Sequence, residues 1–291
     1  MELSGKRVLI TGAARGIGAE TARVLAGRGA RLSVVGLEPA KLEQLAGELG
    51  SGHVFFEADV ADQAALDAAV AGTVESLGGI DVVIANAGIA PFGTIANSDT
   101  EVDSLVIDVN LTGVIRTVRS TASQVGANGG YYLLISSVAA FTAVPGVGVY
   151  AATKAGVESL ANTIRVEFHR QGVGVGSAHP SWIDTDLVRD AANEFEAFRL
   201  LRAKLPWPLK STTSVEACAE ALADGIEKRK RRIYVPRSIA LVARSRRLLN
   251  GPLGERFLRR RMAKSLDMVD FEVAEHGPLS TRTREIERTR G

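Results

Sequence analysis

Tyr150 and Lys154 stand four residues apart in "YAATK", and Ser137 lies 13 residues before the tyrosine. On a helix, positions i and i+4 share one face, so the phenol and the ammonium can act on a single ligand. A free tyrosine, with a pKa near ~10, is a poor base at neutral pH. A cation beside it stabilises the phenolate and brings it toward the range a general acid/base needs. Spacing alone is met equally by a tyrosine packed on a sheet and a lysine reaching out to water. Ser137 weighs toward chemistry. It ends "YYLLISS" (131–137), which reads as a strand, and open α/β sheets gather ligands at the carboxyl ends of their strands.

The elements that would hold these residues are visible as alternating patterns. Apolar, β-branched runs at 7–11, 31–36, 53–59, 81–88, 131–137, 173–180 and 231–236 predict strands. Alanine-rich stretches at 19–29, 39–49, 61–77, 100–127, 151–171 and 214–229 predict helices between them. Continuous apolar strands separated by helices predict a parallel sheet covered on both faces, and right-handed crossovers make it doubly wound. The expected fold class is α/β of Rossmann type. In "LITGAARGIGAET" (9–21), Gly12, Gly16 and Gly18 fall between the first strand and the first helix. Bare glycines let backbone approach a phosphate, and the helix N-terminus offers free N–H groups with a partial positive charge. A tight strand-to-helix bend would use the same residues.

Six motifs in order, "TGAARGIG" (11–18), "ANAG" (85–88), Asn110, "ISS" (135–137), "YAATK" (150–154) and Pro180 with Thr185, resemble the short-chain dehydrogenase/reductase family. The resemblance covers about residues 4–190 motif by motif. It implies about seven parallel strands and hydride transfer between NAD or NADP and an alcohol or carbonyl. It implies that Ser137 holds the substrate oxygen while Tyr150 exchanges its proton. Lys154 would also bond the nicotinamide ribose, and Asn110 would anchor a water that relays protons to it. With the catalytic residues Asn110, Ser137, Tyr150 and Lys154 all present, an active enzyme is expected. The alternative is a dinucleotide-binding redox sensor without turnover.

On the cofactor side the resemblance assigns Gly12, Ala14, Arg15, Gly16, Ile17 and Gly18 to the phosphates. Asp59, followed by Val60, would bond the adenine amino group. Asn86, Ala87 and Gly88 would bring backbone near the nicotinamide-side ribose. Pro180, Ile183 and Thr185 would hold the carboxamide, with Ser181 where the family usually has glycine. Specificity is ambiguous. An acidic residue ending the second strand would bond the adenosine ribose and repel a 2′-phosphate, but that position is Gly36, followed by Leu37. Arg15 could pair with a 2′-phosphate, which leans the reading to NADP. Glu38 could instead reach the ribose and favour NAD.

The 291 residues carry a formal charge of +2 and one cysteine, Cys218, which excludes an internal disulfide framework and suits a reducing compartment. No apolar run reaches the ~20 residues of a membrane span, and the start lacks a signal-like core, so a cytoplasmic protein is expected. The four histidines are scattered away from metal-ligand spacing. The chain divides into a catalytic unit over 1–236, a basic helical extension over 237–275 and a tail over 276–291 expected to be disordered. Within the first unit, 186–210 reads as a lid whose Phe195, Phe198, Leu201, Leu205 and Trp207 either cover an apolar substrate or pack the lid to the body. Charge is uneven: Ile226–Lys264 holds 14 Lys or Arg against Glu227 and Glu255. That segment could dock on the chain's own acidic body, on a partner subunit, or, through 237–264, on a membrane surface. It lacks the interleaved aromatics of a nucleic-acid binder, and no nucleic acid is expected. The resemblance implies a homodimer or homotetramer, and the apolar lid points to a small apolar substrate, a lipid-like, steroid-like or aromatic alcohol or ketone.

Overall fold

Seven of the apolar runs pair into one parallel sheet: β1 (Arg7–Thr11), β2 (Arg31–Gly36), β3 (Val54–Glu57), β4 (Val82–Ala85), β5 (Tyr131–Ile135), β6 (Gly174–Pro180) and β9 (Arg232–Val235). The order is β3-β2-β1-β4-β5-β6-β9, every neighbouring pair parallel. A short parallel pair, β7 (Trp182–Ile183) with β8 (Thr212–Thr213), stands apart from it. In this computed structural model, which describes residues 1–281 together with 283 and 284, helices cover both sheet faces. They are α1 (Gly16–Gly27), α2 (Pro39–Leu49), α3 (Gln63–Leu77), α4 (Thr100–Ile107), α5 (Gly113–Ala127), α6 (Gly148–Glu167) and α9 (Val215–Glu227). α7 (Asp186–Glu194), α8 (Glu196–Ala203), α10 (Ile239–Leu249) and α11 (Pro252–His276) pack on one another, and α10 also meets β9 at the sheet edge.

Both strand faces are buried, as a sandwiched parallel sheet requires. Val8, Ile10, Val82, Ile84, Tyr131 and Leu133 pack on one side with Leu25 of α1 and Leu222 of α9. Leu9, Val83, Tyr132 and Leu134 point to the other side, against Val70 of α3, Val118 of α5 and Val157 of α6. Local chemistry sets the helix ends. Asp62 accepts from the backbone N–H of Ala64 and Ala65, and Asp99 accepts from Glu101 and Val102. Gly78 closes α3 at φ 85°, and Pro39 opens α2. α1 has no side-chain cap, so its first N–H groups stay open toward the carboxyl edge of the sheet.

The stretch 100–127, expected as one helix, is interrupted. α4 and α5 are joined by a single π turn, Asp108–Thr112, which carries Asn110.

The described part of 276–284 corrects the expectation of a disordered tail from 276. Leu279 is buried, the Pro278 carbonyl accepts from the Phe92 N–H at 2.7 Å, and Glu194 accepts from the Thr281 N–H at 2.9 Å. A polar local composition concealed these tertiary partners. The rest of that expectation, residue 282 and residues 285–291, lies outside the described residues.

Candidate active site

The sheet order reverses beside β1, which pairs with β2 on one side and β4 on the other. A cavity of about 330 Å³ opens along the carboxyl ends of these strands. The β1–α1 loop forms one end. Gly12 has φ +64°, and a Cβ there would sit 2.6 Å from the Ala87 Cα, so only glycine lets this loop pass the β4 end. A Cβ at Gly18 would collide with the Gly12 carbonyl and come within 2.7 Å of the Asn86 amide, so Gly18 serves helix–loop packing rather than the cavity wall. Asn86 fastens the loop by donating to the Thr11 and Gly12 carbonyls at 3.0 Å each. Ala14, Arg15, Gly16, Ile17, Gly36, Leu37, Asp59, Val60, Ala87, Gly88, Pro180, Ile183 and Thr185 line the same cavity, as do Gly12 and Asn86. The residues fit a dinucleotide: the uncapped α1 N-terminus faces the cavity beside a glycine cradle, and the Arg15 Nη1 and Ser181 Oγ atoms are buried without a partner among the described residues.

Apart from that Nη1, the Arg15 guanidinium is already engaged. Its Nε donates to the Glu38 carboxylate at 2.7 Å, a second nitrogen pairs with the other oxygen, and Lys41 Nζ lies 2.8 Å from the same carboxylate. Burial opposes ionisation of Glu38, yet its hydrogen bonds from Arg15 and Lys41 outweigh that and hold it below the usual carboxylate range. An anionic carboxylate therefore lines the cavity next to Gly36 and Leu37.

Deeper in, Ser137, Tyr150 and Lys154 meet on the cavity wall. Ser137 follows β5, and Tyr150 and Lys154 project from the first two turns of α6. Lys154 Nζ lies 5.6 Å from the centre of the Tyr150 ring and donates to the Ile135 carbonyl at 3.0 Å. Burial lowers the Lys154 pKa to about 8. The expected lysine-driven depression of Tyr150 is not what dominates. Burial pushes the phenol up, and the Ser137 hydroxyl pulls it partway back. Asn110 sits just behind, not on the wall. Its side chain exchanges two 2.8 Å hydrogen bonds with the Ile89 backbone and donates to Thr153 Oγ1 at 3.3 Å. A Cβ on Gly88 would lie 3.1 Å from Asn110 Oδ1 and 3.3 Å from Lys154 Nζ, so Gly88 leaves both side chains room to approach the backbone here. Ser136, on the other strand face, donates to the Lys154 carbonyl at 2.7 Å and anchors the helix.

The far wall is apolar: Phe92, Val138, Val144, Val147, Trp182 and Phe198 face the cavity, with Leu187 and Val188 of α7. Of the lid residues singled out from sequence, only Phe198 does so. Phe195, Leu201 and Leu205 are buried in a third core with Ile239, Val242, Met262, Val269 and Val273 of α10 and α11, while Trp207 is 63% exposed. Glu272 of α11 accepts from the α8 N-terminal N–H groups of Glu196 and Ala197 at 2.9 and 3.0 Å. Trp182 and Thr283 are cavity residues that the sequence reading missed. Trp182 sits in the expected carboxamide segment and stacks edge-on with Phe198 at 5.3 Å, which only the folded lid reveals.

Next to Ser137 lies a buried polar cluster. Glu158, two turns below Tyr150 on α6, accepts from Ser177 Oγ at 2.6 Å and Arg232 Nε at 2.8 Å, and lies 2.9 Å from His179 Nε2. The other His179 nitrogen is 3.3 Å from the Ser137 carbonyl. Burial opposes ionisation of Glu158, but its partners prevail and bring its pKa to about 2.

This fold and this cavity define a dinucleotide-dependent oxidoreductase scaffold. The family model for short chain dehydrogenase matches residues 6–195, and the chain belongs to the short-chain dehydrogenase/reductase family of oxidoreductases. It is 38% identical over 204 residues to a short-chain type dehydrogenase/reductase of Mycolicibacterium smegmatis, covering 64% of this chain and 73% of that protein. It is 35% identical over 208 residues to an uncharacterized NAD-dependent oxidoreductase of Mycobacterium tuberculosis, covering 65% and 76%. Among solved structures it resembles a 3-ketoacyl-(acyl-carrier-protein) reductase of Brucella melitensis complexed with NADH. There the TM-score is 0.72 at 27% identity, over 80% of this chain and 97% of that one.

Proposed function

We propose that the protein is an NAD(H)-dependent oxidoreductase that interconverts an apolar ketone or aldehyde and its alcohol. The observation that carries this is the meeting of Ser137, Tyr150 and Lys154 on one cavity wall, with the glycine loop at one end and an apolar wall at the other. The glycine loop and α1 N-terminus would hold the pyrophosphate, Asp59 the adenine, and Lys154 the nicotinamide-side ribose. When bound, the nicotinamide supplies or accepts the hydride. In the reducing direction Ser137 hydrogen-bonds the substrate oxygen and Tyr150 gives it a proton. The raised phenol keeps that proton ready at neutral pH. The Lys154 ammonium, beside the ring, stabilises the phenolate left behind. Asn110 holds the 88–89 backbone against the lysine. Phe92, Trp182 and Phe198 favour an apolar substrate body. Subunits would pair through α5 and α6, where Ile115 and Val166 are 44% and 77% exposed.

NAD(H) is favoured over the NADP expected from sequence, because Arg15 is engaged by Glu38 and the carboxylate would face a 2′-phosphate. The NADH-bound Brucella melitensis reductase and the NAD-dependent Mycobacterium tuberculosis relative support the same choice. Paired fluorescence titrations with NADH and NADPH test this. NADH should bind at least about tenfold tighter, and Glu38→Gln should narrow the gap by freeing Arg15 and removing the repulsion. Tighter NADPH binding by the wild type would overturn the assignment.

A further inference from the structure

The inner faces of α10 and α11 are used up in packing the lid, where Ile239, Val242, Met262, Val269 and Val273 are buried. The outer faces near the turn joining the two helices are not. Leu248 is 64% exposed, Leu253 73% and Phe257 46%. Interleaved with them, Arg246, Arg247, Arg256, Arg260 and Arg261 are exposed, and no carboxylate among the described residues lies within ion-pairing range of these five. The one acid between residues 237 and 264, Glu255, pairs with Arg259 at 3.7 Å. Leu253, Arg256, Phe257, Arg260 and Arg261 line a shallow open groove, and the Arg261 guanidinium sits 5.4 Å from the centre of the Phe257 ring.

We propose that this corner is a peripheral docking surface for the anionic face of a lipid bilayer. The chemistry asks for both ingredients at once. Leucine and phenylalanine side chains enter the boundary between headgroups and acyl chains, and arginines pair with the phosphates around them. A nucleic acid would use the arginines but has no place for Leu248 and Leu253. A subunit interface keeps charge away from its centre, whereas here every apolar side chain is flanked by arginine. A two-fold contact would also set this strongly basic segment against its own copy. No helix among the described residues is long and apolar enough to cross a membrane, so the contact is with the surface. The basic segment lies beside the lid, which places an apolar-substrate cavity and a lipid surface on adjoining parts of the chain.

Flotation of the full-length protein with phosphatidylcholine vesicles, with and without phosphatidylglycerol, tests this. The protein should float with the anionic vesicles at low salt and stay behind with the neutral ones. Arg256→Glu with Arg260→Glu should weaken anionic binding by about tenfold or more. Leu253→Ser with Phe257→Ser should remove the binding that survives added salt. Both double variants should keep wild-type NADH titration and melting temperature, since they touch neither the cavity nor the core. The proposal fails if the wild type does not float with anionic vesicles, or if neutral vesicles bind it equally. It also fails if the charge-reversed variant binds undiminished, or if the apolar variant changes only the subunit count by light scattering. Tighter retention by duplex DNA than by anionic vesicles at the same salt would overturn it as well.

Discussion

Lys154 is 4% exposed, and its carbonyl partner, Ile135, is neutral, so holding an ammonium there costs stability that the proposed chemistry would have to offset. Its folded pKa, about 8, lies below the ~10.4 of an unfolded lysine. The unfolded chain therefore binds more protons between those values, and stability rises with pH across that window. Below about pH 8 the full penalty, up to about 3 kcal/mol, is present; near pH 10.4 it is gone. Lys154→Met should raise the melting temperature at pH 7, and the gain should shrink as pH climbs toward 10. NADH-linked turnover should be lost in that variant at every pH. Calorimetry across that range checks the stability half. A lower melting temperature at pH 7 would show that the ammonium has a stabilising partner. The pairing of Tyr150 and Lys154 was legible because the i,i+4 rule is local. The upward shift of the phenol was not, because burial is a property of the folded wall.

At the scale of elements, α6 carries a stripe of three polar side chains one turn apart, Tyr150, Lys154 and Glu158. The first two serve the cavity; the third ties α6 to β6 and β9 through Ser177, His179 and Arg232. Glu158 has its pKa held at about 2, well below the unfolded value. Its contribution is complete above about pH 4.5 and is lost as pH falls toward 2, up to about 3 kcal/mol. Glu158→Gln should lower the melting temperature at pH 7 by several degrees and flatten the acid limb of the stability profile. An unchanged acid limb would contradict the network. Strands were the most legible elements, since runs such as "YYLLI" are buried on both faces and need no alternation. The turn at Asn110 was hidden. One extra residue in a helical turn leaves the apolar period of 100–127 intact to the eye, yet it is what rotates Asn110 toward Ile89 and Thr153.

In the whole molecule, one cavity joins pieces from most of the chain, from Gly12 in the first loop to Thr283 in the last described turn. The first two-thirds of that assembly could be read from sequence, because the glycine loop and the proposed catalytic residues come in fixed local motifs. The remainder could not. Pro278 meets Phe92, Glu272 caps α8 and Glu38 captures Arg15, all between residues far apart in the chain or otherwise unremarkable in pattern. The central claim is that this shared cavity turns over an apolar carbonyl with NADH through Tyr150. The direct test is NADH oxidation with a panel of apolar ketones by wild type and Tyr150→Phe, with NADH affinity titrated in parallel. Wild type should consume NADH with at least one ketone, and the variant should bind NADH within about threefold while losing turnover by roughly 10²–10⁴-fold, the usual worth of a positioned proton donor. Undiminished turnover in Tyr150→Phe would contradict the account.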